Sequence, residues 1–160
     1  MQLKLRNTLV RAVPELFIPM IYKTGHVEEV EFLFIVEKED FIGIGINRGP
    51  NPCCYITQTS QKVINDQVTG YDTPFYPHGG FTFSGSNMFA KIAGIEGPIL
   101  TKSADPILND LYWLGWDYAH LGDYTGYSSV SHAANDKKWK TTELIEETKR
   151  MINEFIKTTK

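Results

Sequence analysis

The chain has 160 residues, of which 42% are hydrophobic and 22% charged, and a formal net charge of −3. That length suits one domain, residues 1–160, which can bury a core without a metal or disulfide to hold it. The acidic balance lacks the basic footprint that long nucleic acid demands. No run reaches the roughly 18 apolar residues of a membrane span.

The expected setting is therefore cytoplasmic, with no membrane partner, because the first residues carry no apolar core or cleavage pattern of a signal peptide. The only cysteines, Cys53 and Cys54, are adjacent. Too few for a zinc framework, they read as two small strand residues in a reducing compartment.

Residues 1–30 have no clear pattern. Val10–Tyr22 is apolar, but Pro14 and Pro19 argue against a long helix. Phe32–Val36 is a continuous apolar run, as in a buried strand, and Phe41–Ile46 alternates β-formers with glycine. The charged stretch Glu37–Asp40 between them predicts a hairpin. Asn47–Pro52 is dense in turn residues, and Cys53–Thr59 follows as a third strand.

Gln61–Val68 reads as one or two helical turns, and Gly70–Pro77 as a loop. Gly80–Phe83 reads as a fourth strand ended by Ser84 and Gly85, and Lys91–Leu100 as loop with a short strand. Trp113–Trp116 reads as a fifth strand or an extended segment. Thr141–Lys157 carries apolar residues at helical spacing, with Leu144, Met151, Ile152 and Phe155 predicted to be buried. Glu143, Glu147, Lys149 and Glu154 are predicted to be exposed, and Thr141 or Thr142 to cap the helix start. Strands followed by a terminal helix predict an α+β fold, a single antiparallel or mixed sheet packed by the C-terminal amphipathic helix.

Two segments concentrate chemistry. In Pro77–Gly85, His78 precedes two glycines, Gly79 and Gly80, which let backbone approach a ligand or another strand closely. His78 suits an acid, a base, a metal ligand or a donor to an anion; the structural alternative is a loop-end histidine bonded to a carbonyl. Trp113–Tyr127 holds two carboxylates, one imidazole, three glycines and five aromatics. On a helix Asp117 and His120 would share a face, whereas Asp123 would sit about 120° away. A looped segment, favoured by Gly115, Gly122 and Gly126, can aim all three at one point.

Asp117, His120 and Asp123, with or without His78, form a candidate divalent metal set. The competing reading is an Asp–His pair with Asp123 capping the Gly122 turn. That reading needs no ion, so no cofactor and no stoichiometric metal are expected. His26 and His132 stand alone in polar surroundings and read as solvent-exposed. No P-loop ending and no serine-hydrolase elbow is present.

Taken in order, Arg48-Gly49-Pro50, Cys54-Tyr55, His78-Gly79-Gly80-Phe81-Thr82-Phe83-Ser84-Gly85 and Trp113-Leu114-Gly115-Trp116-Asp117-Tyr118-Ala119-His120-Leu121-Gly122-Asp123, then a terminal helix, resemble a family of small bacterial and phage proteins. Their recurring pattern is an HGG-[LF]-T-[FY] strand followed by W-x-G-[FW]-D-x-A-H-x-G-D. The likeness spans about residues 30–158; the family has Cys-Gly-Tyr where this chain has Cys53-Cys54-Tyr55. The resemblance implies that His78, Asp117, His120 and Asp123 share a site, and its phage and mobile-element context implies dealing with a host defence or its small-molecule signal.

The expected partner is a small nucleotide-like or phosphorylated ligand, contacted by His78, Gly79, Gly80, Thr82, Trp113, Trp116 and Tyr124. A homo-oligomer is left open. The first alternative is a hydrolase using His78, Asp117, His120 and Asp123 in acid–base or metal-assisted chemistry. The second is an inhibitor that binds a protein.

Overall fold

The computed structural model describes residues 9–21, 27–48, 51–68, 70–86, 111–120, 123 and 137–159. Among the described residues six strands and a short 3-10 turn (Gly70–Asp72) precede one α-helix: β1 (Leu9–Ile21), β2 (Val27–Lys38), β3 (Phe41–Arg48), β4 (Asn51–Gln58), β5 (Phe83–Gly85), β6 (Trp113–Asp117) and α1 (Thr141–Thr158). The strands form one sheet in the order β1-β2-β3-β4-β6-β5, and every neighbouring pair is antiparallel. This is the α+β arrangement that the strand and helix patterns predict. Among the described residues no helix is long and apolar enough to cross a membrane.

The prolines that break a helix between Val10 and Tyr22 are accommodated by an edge strand. β1 lies at the border of the sheet and shifts register between Ala12 and Leu16, around Pro14. An edge strand leaves one row of amide positions unpaired, so a residue without an N–H is tolerated there. The β2–β3 hairpin turns at Glu39, which takes a positive φ of 55°. Asn47–Arg48 and Asn51–Pro52, expected in a turn, instead pair as the last residues of β3 and the first of β4.

The glycine alternation in β3 has a packing cause. A Cβ on Gly43 would run into the Thr148 methyl of α1, and one on Gly45 into the Phe34 ring. The absent side chains let α1 settle on the sheet. Phe34, Val36, Phe41, Cys54, Ile56, Leu114 and Trp116 face Leu144, Met151, Ile152 and Phe155 in one cluster, with all four helical residues buried as predicted. Truncating a ring such as Phe155 in a core of this kind costs about 3–5 kcal/mol.

Three local expectations change. Gln61–Val68 forms turns, not helix, because the Gln58 side-chain carbonyl accepts from the Val63 and Ile64 amides at 2.6 and 3.3 Å. The strand expected at Gly80–Phe83 starts only at Phe83. Gly79 and Gly80 have φ of 70° and 81°, and the Gly80 amide closes a turn onto the Pro77 carbonyl at 2.9 Å, so the chain cannot extend earlier. The helix is preceded by Lys140, not capped by Thr141 or Thr142. The Glu143 carboxylate reaches back to the Lys140 amide at 2.9 Å and meets one of the free donors of the first turn.

Glu143, Glu147, Lys149 and Glu154 are half-buried instead of fully exposed. Each has ion-pair or hydrogen-bond partners along the helix surface. Lys91–Leu100, His26, His132, Gly122, Tyr124, Gly126 and Tyr127 lie outside the described residues.

Candidate functional site

The site forms where β6 ends, at the N-terminal half of α1. Cys53 of β4 pairs with Asp117, the last residue of β6, and the Tyr118 amide donates to the Pro52 carbonyl at 3.0 Å. The chain then turns. The Asp117 carboxylate accepts from the Ala119 amide at 3.1 Å, and the Asp123 amide donates to the His120 carbonyl at 2.8 Å. A lone bridge between Asp123 and Lys137 brings this turn against the approach to α1.

His78 arrives from the other side, on the loop before β5. Its amide donates to the Glu147 carboxylate at 3.0 Å, and Arg150 holds both Glu147, at 2.9 Å, and the Tyr76 carbonyl, at 3.2 Å. Helix α1 therefore clamps the Tyr76–His78 loop, which explains why Glu147 is not free in solvent.

Asp123 is the hub. It is only 4% exposed, yet its carboxylate accepts from the His78 ring Nε2 at 2.8 Å, the His120 amide at 2.9 Å and the Trp139 indole at 2.7 Å. Burial pushes its pKa up, but the bonds from the His120 amide, Trp139 and His78 outweigh that and hold the carboxyl below the usual range. It is therefore ionised at neutral pH.

The His78 ring stacks on Tyr118, with centroids 4.9 Å apart and planes 5° from parallel, and leans on Trp139 at 4.9 Å and His120 at 5.3 Å. The Tyr118 hydroxyl accepts from the Trp116 indole at 3.0 Å, and burial pushes its pKa well above the ordinary range. Tyr118 is therefore neutral at physiological pH, and its ring is the platform on which His78 stacks.

His120 lies between two carboxylates. Its Nε2 is 3.6 Å from Asp117 and its Nδ1 is 3.4 Å from Asp123. Nδ1 is buried and makes no hydrogen bond, the 3.4 Å approach being poorly aligned. Gly79 lies flat on this ring, so that a Cβ there would collide with the imidazole. Thr82 donates to the second oxygen of Asp117 at 3.3 Å.

The structure thus joins His78, Asp117, His120 and Asp123 in one continuous cluster, with Gly79 and Thr82 against it. Gly80 has open space around its Cα. Trp113 and Trp116, expected to stack on a ligand, are 0% and 1% exposed and belong to the core. Their alternation in β6 buries Trp116 under α1 with Phe81, and puts Trp113 on the opposite face.

Beside the cluster opens a cleft of about 720 Å³ lined by Tyr76, His78, Tyr118, Trp139 and the α1 residues Glu143, Glu146, Glu147 and Arg150. Its aromatic wall is built by residues that the sequence motifs do not single out. Trp139 lies in no motif, and Tyr118 is an unspecified position inside the Trp113–Asp123 motif. Lys137 caps the Trp139 ring at 3.9 Å and pairs with Glu143 at 2.8 Å; that pairing and the Lys140 amide hold the Glu143 carboxyl below the usual range.

Comparison with known family models, curated proteins and solved structures finds no match.

Proposed function

We propose that this protein captures a small nucleotide-like or phosphorylated molecule in the cleft between α1 and the Tyr76–His78 loop. The observation that carries the reading is the cleft itself. At about 720 Å³ it has the size of a small-molecule site, and one wall is made of aromatic rings that meet a buried, ionised carboxylate. A flat base would lie against Trp139 and the exposed Tyr76, and the charged end of the ligand would point to His78. Capture without turnover matches the counter-defence role that the phage-protein resemblance implies.

Hydrolysis is the second reading, and one observation favours it. Ionised Asp123 holds His78 through Nε2, and among the described residues no hydrogen bond engages His78 Nδ1. A carboxylate that fixes one imidazole nitrogen leaves the other to act as a base.

The test is a panel of nucleotides and cyclic nucleotides, screened by thermal shift and then by calorimetry on the full chain. Capture predicts that one class binds, that the ligand is recovered chemically unchanged after denaturation, and that Trp139→Ala weakens binding at least tenfold. New products that disappear with His78→Ala would replace capture by hydrolysis. A panel with neither binding nor products would overturn both.

A further inference from the structure

We propose that His78 Nε2, His120 Nδ1 and an oxygen of Asp123 bind a divalent first-row transition ion, with Asp117 holding His120 from its far nitrogen. One ligand atom from each of His78, His120 and Asp123 lies within 4.8 Å of the others. To the same Asp123 oxygen His120 Nδ1 stands at 3.4 Å, the spacing of neighbouring ligands, and His78 Nε2 at 2.8 Å, a hydrogen bond whose place an ion would take. Bonds of about 2.1 Å place adjacent donors about 3.0–3.4 Å apart. The two imidazole nitrogens would close on the ion from within 4.8 Å of each other.

Three observations point the same way. First, His120 Nδ1 is buried and has no hydrogen-bond partner, which is costly for a polar ring nitrogen. An Asp–His pair without an ion uses His78 and leaves this nitrogen orphaned; an ion gives it a partner.

Second, the surroundings orient each ligand. Trp139 donates to one Asp123 oxygen at 2.7 Å and the His120 amide to the other at 2.9 Å, which fixes the carboxylate with that second oxygen 2.8 Å from His78 Nε2 and 3.4 Å from His120 Nδ1. Asp117 stands 3.6 Å from His120 Nε2 and is itself held by Thr82 and Ala119. At 3.6 Å this is an ion-pair approach without a hydrogen bond; closing it on metal binding would fix the His120 tautomer and strengthen the ring as a donor.

Third, the cleft needs positive charge. Glu143, Glu146 and Glu147 line it, and among the described lining residues only Arg150 is basic. Arg150 and the nearby Lys137 are each paired with one of these glutamates, so a cation at the His78 end would offset the remaining negative charge facing a phosphorylated ligand.

Two imidazoles and one carboxylate leave coordination positions open and suit zinc, manganese or iron better than the oxygen-loving calcium or magnesium. The proposed set differs from the Asp117–His120–Asp123 trio suggested by the sequence: His78 replaces Asp117, which moves behind His120. The ion rests on the ligand geometry and the buried, unpartnered His120 Nδ1; the charge of the cleft adds to it only under the proposed function. Its use in holding a phosphate rests on the proposed function.

The test uses the full chain after chelator treatment, titrated with Zn²⁺, Mn²⁺ and Co²⁺ alone. The expected result is one equivalent bound, with a Co²⁺ visible spectrum typical of nitrogen and oxygen ligands. His78→Ala, His120→Ala and Asp123→Asn should each lose at least a hundredfold in affinity. Asp117→Asn should lose about ten- to a hundredfold, as outer-sphere partners of ligating histidines do.

Circular dichroism on each variant separates loss of a ligand from loss of fold. The wild-type titration decides alone if the variants are damaged: failure of all three ions to bind stoichiometrically would overturn the proposal. So would uptake that survives in folded His78→Ala and His120→Ala. Because no nucleotide is present, metal binding without nucleotide binding would leave the site standing and remove only the functional reading.

Discussion

Replacing Gly79 and Gly80 by alanine, one at a time, separates backbone cost from side-chain crowding at the site. Both residues have positive φ, 70° and 81°, so each alanine pays the left-handed penalty of roughly 1–2 kcal/mol. Their surroundings differ. A Cβ on Gly80 meets nothing within 4 Å, whereas one on Gly79 overlaps the His120 imidazole, with Nδ1 at 2.8 Å.

Overpacking of that kind adds about 1–3 kcal/mol if the ring stays, or displaces the ring if it does not. Gly80→Ala should therefore lose about 1–2 kcal/mol in chemical denaturation, which for a domain of this size lowers Tm by roughly 2–8 °C. Gly79→Ala should lose about 2–5 kcal/mol, or else show the smaller loss together with shifted His120 ring resonances in ¹H–¹³C spectra. Equal stability losses in the two variants with unmoved His120 resonances would refute the idea that Gly79 is required to seat the imidazole.

Three other outcomes follow from the same geometry. Glu147→Ala removes the acceptor of the His78 amide and the partner of Arg150; it should cost about 1–2 kcal/mol and speed hydrogen exchange at the His78 amide about tenfold, and an unchanged exchange rate would show that α1 does not clamp this loop. Trp139→Phe keeps an aromatic ring but deletes the 2.7 Å bond to Asp123; a loss of about 1–3 kcal/mol is expected, and a value near zero would mean that water replaces the indole. Cys53 and Cys54 are both buried, and burial pushes the Cys53 thiol up to about 11 and the Cys54 thiol higher still; neither should react with Ellman's reagent at pH 8 until denaturant is added, so rapid labelling of the native protein would contradict the packing of β4.

The cleft and the cluster make different demands on a ligand. The cleft supplies aromatic surface and negative charge, while the cluster supplies two imidazoles on one ionised carboxylate. A cation between them would let a ligand with a flat ring and a phosphate satisfy both. A metal bound at His78, His120 and Asp123 would do so, and this links the capture reading to the ion through charge and not through sequence likeness.

The sequence by itself determined the elements whose hydrophobic period is strong. The stripe of α1 and the hairpin of β2 and β3 could be read because burying one face forces a fixed spacing of apolar residues. It also identified His78, Asp117, His120 and Asp123, since those residue types cluster in two segments with turn-forming glycines.

Only the tertiary structure decided how these residues relate. The exchange of Asp117 for His78 next to Asp123 depends on the bend after β6 and on the Glu147 clamp, and both involve partners distant along the chain. The aromatic wall was equally hidden. Strand alternation sends Trp113 and Trp116 into the two faces of the sheet, and the cleft takes Trp139 from the residues before α1. Periodicity records which side of an element is buried; which buried or half-buried groups meet across the fold depends on how the elements are stacked, and the local pattern does not encode that.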